Sequence, residues 1–155
     1  MFKRRIVRER VLQILYAFEM NKDGLQALID GMLSDISDKT DKDFGVDLIN
    51  RVIIHHKELD DQISKHVNNW EMGRIALIDK LLLRIGICEL QYFPEIPPKV
   101  SINESIEIAK EYSTAGSGKF INGILDAVLD EIKAEGKLNK TGRGLLTETI
   151  NKPKK

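Results

Sequence analysis

The residues most able to do chemistry in this chain fall in two places. The first is a run of cations at the start: Lys3, Arg4, Arg5, Arg8 and Arg10, with Glu9 the one carboxylate among the first ten residues. Cations at a helix N-terminus oppose the helix dipole, so local stability does not account for them. A phosphate-binding patch does, since the planar guanidinium fork suits phosphate oxygens. The second place is the stretch from Tyr112 to Asn122, Y-S-T-A-G-S-G-K-F-I-N. Gly116-Ser117-Gly118-Lys119 invites a phosphate-loop reading, but that motif needs Gly at Ser113 and Ser or Thr at Phe120, and a strand before it. A helical pattern precedes it instead. What the stretch does offer is aromatic faces, Tyr112 and Phe120, beside the cation Lys119 and the amide of Asn122. Single-stranded RNA is bound by that combination, with bases stacked on rings and phosphates paired to cations. The bland alternative is that both rings cap the core.

The remaining reactive side chains argue against catalysis. His55 and His56 are adjacent and His66 lies ten residues on, so no metal-binding HxxxH or HExxH spacing exists. The lone cysteine, Cys88, can form neither an intrachain disulfide nor a CxxC zinc site and reads as a small buried hydrophobe. No Ser-His-Asp set, paired-carboxylate signature or dinucleotide fingerprint is present. The expectation is a protein that is not an enzyme and has no cofactor and no metal.

These residues need a scaffold, and its hub is Ile75 to Phe93, I-A-L-I-D-K-L-L-L-R-I-G-I-C-E-L-Q-Y-F. Wrapped at about 100° per residue its apolar side chains point in every direction, the mark of a helix buried on several sides. Asp79, Lys80, Arg84 and Glu89 make it unsuitable as a membrane span. Around it the pattern predicts further helices. Residues 3–20 carry a core stripe of Val7, Val11, Ile14, Leu15 and Phe18. Asp23-Gly24 turns into a second helix with Leu25, Leu28, Ile29, Met32, Leu33 and Ile36. After a polar connection, where Thr40 or Asp41 caps, a pattern runs from Asp43 to about Val67 with a break near the histidines, and Trp70 plugs the junction. The prolines of F-P-E-I-P-P-K-V enforce an extended link. Ser101 with Glu104 reads as a capping box, and Ser117 as the cap of a last helix striped with Ile121, Ile124, Leu125, Val128, Leu129 and Ile132. Gly123, inside that helix, implies a close helix contact. No alternating strand pattern and no internal repeat occur. Residues 134–155 read as a basic, mostly disordered tail.

With 24 Lys+Arg against 24 Asp+Glu, net charge selects no partner; only its distribution does. No signal-peptide pattern follows the basic start, so the expected compartment is the cytoplasm, without a membrane association.

Three blocks, R-R-I-V-R-E-R-V-L-Q-I-L-Y at 4–16, L-L-R-I-G-I-C-E-L at 82–90, and V-S-I-N-E-S-I-E-I-A-K with K-F-I-N-G-I-L-D at 100–110 and 119–126, resemble the NusB family of transcription antitermination factors. The resemblance implies an all-α fold of two small perpendicular helical bundles sharing a central buried helix. It places one domain at 1–133, with an N-terminal bundle over about 1–70 and a C-terminal bundle over about 71–133. It also implies binding to single-stranded boxA RNA with NusE, a small-subunit ribosomal protein, within the RNA polymerase antitermination complex of ribosomal RNA operons. By position, Lys3, Arg4, Arg5, Arg8, Tyr112, Lys119 and Phe120 are then the RNA surface. Tyr16 and Glu89 fall where the family meets NusE. On the first helix Tyr16 and Leu12 lie opposite the core stripe and need covering, by another helix or by a partner. Glu89 has no evident partner in the chain. Gly116 stands where relatives can carry a polar or acidic residue. Rival readings are a helper domain for a ribosomal RNA-modifying enzyme and a protein-only adaptor; a homodimer is also open.

Overall fold

The computed structural model describes residues 2–146, and the side chains of Phe2, Asn69 and Trp70 lie outside that description, as does the role expected of Trp70. The described residues form helices joined by short turns, with no strand among them. These are α1 (Phe2–Asn21), α2 (Leu25–Met32), α3 (Lys39–Ile54), α4 (His56–Ser64), α5 (Asn69–Met72), α6 (Leu77–Tyr92), α7 (Pro98–Tyr112) and α8 (Ser117–Ala134), followed by a 3-10 turn at Gly142–Leu145. None of these helices is long and apolar enough to cross a membrane.

The hub expectation holds. Every residue from Leu81 to Leu90 is buried. On one side α1, α2 and α3 pack together against α6; on the other α7 and α8 pair with each other and with α6, while α4 bridges α6 and α8. The core stripe expected of α8 is buried at all six positions. In α1 four of the five stripe residues are buried and Phe18 is half-exposed at the rim. Each fully buried branched side chain of this kind is worth about 1.5–3 kcal/mol, so these stripes hold the two helical groups onto one axis.

The charges that disqualified α6 as a membrane span are drawn inward, and each is met by a different neighbour. Asp79 accepts from Ser113 and Ser117 Oγ at 2.7 and 2.8 Å. Arg84 forks onto Asp60 of α4 at 2.7 and 2.8 Å and reaches Glu19 of α1 at 3.8 Å. Glu89 takes the fork of Arg8 from α1 at 2.8 and 2.7 Å and a hydrogen bond from Ser101 of α7 at 2.8 Å.

Several local expectations give way to these longer-range bonds. Ser101 does not cap: α7 starts three residues earlier, at Pro98, a residue suited to the first helical turn. Its hydroxyl goes to Glu89, and Glu104 goes to Arg5. Ser117 opens α8 but gives its hydroxyl to Asp79, leaving no side-chain cap. The cap of α3 is Asp38, which accepts from the Asp41 amide. The break at the histidines is real, with α3 ending at Ile54 and α4 beginning at His56. Gly123 faces open space; the close approaches are at Gly45, where a Cβ would sit 2.9 Å from Val7 Cγ1, and at Gly86, against Leu125 and Ser105.

The tail expectation is corrected as far as the structure describes it. Beyond α8 the chain returns to the end of α6. Leu138 packs on the core, and the Thr141 amide donates to the Pro94 carbonyl at 3.0 Å. Residues 147–155 lie outside the described residues.

Candidate nucleic-acid interface

Helices α1 and α7 run side by side, tied by Arg5–Glu104 near their starts and by Glu9, Gln13 and Tyr112 further along. Along this ridge the expected arginine cluster is largely neutralised from within. Arg8 is 4% exposed and belongs to the core. Burial works against its charge, but Glu89 outweighs that and holds the guanidinium above its ordinary pKa. Arg8 is therefore a structural residue and not a phosphate ligand. Arg5 gives both prongs to Glu104 at 2.8 Å, and that bond raises its pKa. Arg4 bonds Asp41 at 2.9 Å and lies 4.3 Å from the centre of the Phe44 ring. Arg10 pairs with Asp35 and the Met32 carbonyl. Lys3 is exposed. What the helix start offers a phosphate is Lys3 and the outer edges of Arg4 and Arg5, a third and a quarter of whose side chains reach solvent.

The second cluster is brought to the same ridge. The Tyr112 hydroxyl accepts from Gln13 Nε2 at 3.0 Å and donates to Glu9 Oε1 at 3.4 Å. The ring is thus held against α1, half-buried, as the core-cap alternative foresaw. Lys119 is fully exposed in the first turn of α8, beside the half-exposed Phe120. Phe120 packs one side on the core, which leaves its other side for a base. Asn122 is exposed one turn further on.

The residues that position this loop were missed in the sequence. Asp79 collects the hydroxyls of Ser113 and Ser117, and Ser117 is bonded in turn by Ser113 at 2.9 Å and Thr114 at 3.0 Å. The loop between α7 and α8 is therefore closed around a carboxylate from α6. An anion already sits at the start of α8, where helix dipoles favour one, which disposes of the phosphate-loop reading physically. The available signal was an Asp inside an otherwise apolar helix.

For the expected partner surface, the two residues separate. Tyr16 is 37% exposed. Glu89 is 1% exposed and wholly engaged by Arg8 and Ser101. It cannot share a surface with Tyr16, and the idea that it lacks a partner in the chain is overturned. Leu12, expected beside Tyr16 on the back of α1, is buried at 1%; α7 covers that part of the helix.

The NusB family profile matches residues 5–130, which takes in both clusters and the whole of α6. This chain belongs to the NusB family. The transcription antitermination protein NusB of Chloroherpeton thalassium is 49% identical over 145 residues, covering 92% of this chain and 69% of that protein. The protein of the same name from Salinibacter ruber is 46% identical over 150 residues, covering 94% and 92%. Among solved structures, NusB of T. maritima superposes with a TM-score of 0.77 at 35% identity, over 83% of this chain and 91% of that one. A structure of the antitermination factors NusB and NusE in complex with double-stranded RNA also superposes, with a TM-score of 0.75 over 84% of this chain and 98% of that one. At 22% identity it speaks for the family's fold.

Proposed function

We propose that this chain is a transcription antitermination factor that binds boxA-type RNA together with NusE in the transcription of ribosomal RNA operons, acting in the cytoplasm as a binding protein and not an enzyme. The observation that carries the reading is the family match over residues 5–130. The geometry fits it, since one ridge presents Lys3, the edges of Arg4 and Arg5, Tyr112, Lys119 and the open side of Phe120. In this arrangement the cations take phosphates and Phe120 stacks on a base, while the Asp79-anchored loop fixes Phe120 and Lys119 relative to α1. Tyr16, exposed on α1, is the residue proposed to meet NusE; Arg8 and Glu89 support the ridge from inside.

The test is binding of labelled boxA-like and scrambled RNA, with and without NusE, across a salt series. If about four phosphates are neutralised, log affinity falls against log salt with a slope near −3. Replacing Lys3, Arg4 and Arg5 by Ala should flatten that slope, and an unchanged slope removes the start of α1 from the site. Phe120→Ala should weaken RNA binding by about 1–3 kcal/mol at nearly constant stability. Tyr16→Asp should abolish NusE binding and spare RNA binding; normal NusE affinity in the folded variant removes Tyr16 from the partner surface.

A further inference from the structure

The segment after α8 is built into the molecule. Lys140 extends its ammonium into the C-terminal end of α6 and donates to the carbonyls of Glu89 and Phe93, at 3.1 and 2.9 Å. A cation is favoured there because the last carbonyls of a helix lack partners within it. The Thr141 amide bonds the Pro94 carbonyl, and the Gly144 amide returns to Thr141 at 2.8 Å. A Cβ at Gly144 would run into the Pro94 carbonyl oxygen, so only glycine allows the chain this close. Residues 137–146 are thus a strap latched across the link between α6 and α7.

The strap lies at the pole where α1 begins. The Phe93 ring above it meets the edge of Phe44, with centroids 5.6 Å apart, and Arg4 lies on the other side of Phe44. At this pole Arg4, Arg5 and Arg8 are engaged by Asp41, Glu104 and Glu89. The exposed cations Lys3, Lys99 and Arg143 have no ion pair among the described residues, and Lys137 only a loose one to Glu135 at 3.5 Å. Glu95 is the opposing carboxylate on the link itself. From Lys137 onward the sequence holds Lys137, Lys140, Arg143, Lys152, Lys154 and Lys155 against Glu148 alone. A segment so unbalanced is drawn to a polyanion, and the strap aims its root along the start of α1.

We propose that the strap is a second phosphate-binding element of the RNA site, an inference that rests on the RNA-binding reading above. Lys140 is its latch, and Arg143 with the basic residues after it takes the RNA backbone beyond Lys3. An acidic protein surface is the competing ligand, and RNA is favoured because the same pole already presents Lys3 and the edges of Arg4 and Arg5.

The experiment uses the full chain with a fluorescein-labelled boxA-like RNA and with oligouridine of equal length, titrated over a salt series. Arg143→Ala should make the salt slope shallower by about 0.7, the share of one phosphate on a single strand, with an unchanged melting temperature. Lys140→Met, which leaves Arg143 in place, should weaken both RNAs and speed hydrogen exchange at the Thr141 and Gly144 amides. Wild-type slope and affinity in Arg143→Ala overturn the proposal while leaving the RNA-binding reading intact. A freed strap with undiminished RNA affinity in Lys140→Met overturns the latch. Loss of NusE binding with unaltered RNA binding in Arg143→Ala assigns the strap to protein and overturns the proposal. Failure of the wild-type chain to bind either RNA defeats the functional reading itself, and the proposal with it.

Discussion

Removing the charge of Glu89 tests the interior of this molecule most directly. The Arg8 and Glu89 side chains are 5% and 1% exposed and joined by two bonds of 2.7 and 2.8 Å. Glu89→Gln leaves the guanidinium buried with no counter-charge, a loss of about 3–5 kcal/mol. In a chain of this size each kcal/mol moves the melting midpoint by about 2–4 °C, so the variant should melt about 6–20 °C below the wild type. Glu89→Lys, which sets two cations face to face, should fail to fold. The control is to remove the network together: Arg8→Met, Glu89→Leu and Ser101→Ala in one chain leave no buried group unpartnered. That variant should recover most of the lost stability, because apolar replacements of buried ion pairs are often neutral or stabilising. The assay is thermal unfolding followed by circular dichroism, checked by urea titration. A Glu89→Gln protein that melts with the wild type, or a well-folded Glu89→Lys protein, would refute the reasoning and return Glu89 to the surface.

Two glycines should respond in opposite senses. Gly86→Ala places a Cβ 2.9 and 3.0 Å from the Leu125 methyls and 3.1 Å from Ser105 Oγ, and should cost about 1–3 kcal/mol in urea unfolding. Gly123→Ala meets nothing within 4 Å and should gain up to about 1 kcal/mol by the same measurement. Cys88 is fully buried and its thiol pKa is driven up by desolvation. It should therefore ignore a thiol reagent such as 5,5′-dithiobis(nitrobenzoate) in the folded protein and react once denaturant is added. Burial pushes the Lys140 amine down to about 8, only partly offset by Glu89 and Glu95, from about 10.4 when free. Between those values the docked strap binds fewer protons than the free one. Docking should strengthen as pH rises through that window and lose this contribution as pH falls through about 8. Methyl NMR of Leu138 would report it, and strengthening toward low pH would contradict the sign.

What could be read in the sequence was whatever depends on neighbours a few residues apart. The stripe from Ile121 to Ile132, the break at His55 and the all-round burial of α6 follow from apolar spacing, which is set locally and survives into the fold. What could not be read were pairings across long separations. Arg8 and Glu89 are 81 residues apart, and Arg84 and Asp60 are 24 apart. Nothing in either neighbourhood reveals that the two will meet. The capping box at Ser101 failed for the same reason: a local partner was available, but Glu89 and Arg5 bind those side chains more strongly as charged groups. Composition misjudged the strap as well, because a few hydrogen bonds to the carbonyls of α6 and Pro94 hold a segment with little apolar surface. Of the candidate interface, the residue types were legible at Lys3, Lys119 and Phe120. The internal engagement of Arg8 and the loop anchor at Asp79 were not.

A helix that is greasy on every side has a difficulty of its own: apolar packing alone scarcely distinguishes one rotation about its axis from another. Asp79, Arg84 and Glu89 resolve it by their spacing. Five residues at about 100° each amount to a turn and about 140° more, so the three groups leave α6 in three well-separated directions, each toward a different neighbour. Turning the helix by one residue would strand all three charges at once while changing the greasy contact area very little. The ionic groups thus act as an index, like pins that let a cylinder seat in one orientation only, and their worth lies in uniqueness more than in strength. A chain with all three replaced by apolar residues of similar volume should remain helical and melt no earlier. Its core methyl resonances should broaden as the spindle loses its preferred angle, and with it the fixed placement of the loop and ridge that Asp79 and Glu89 now hold in common.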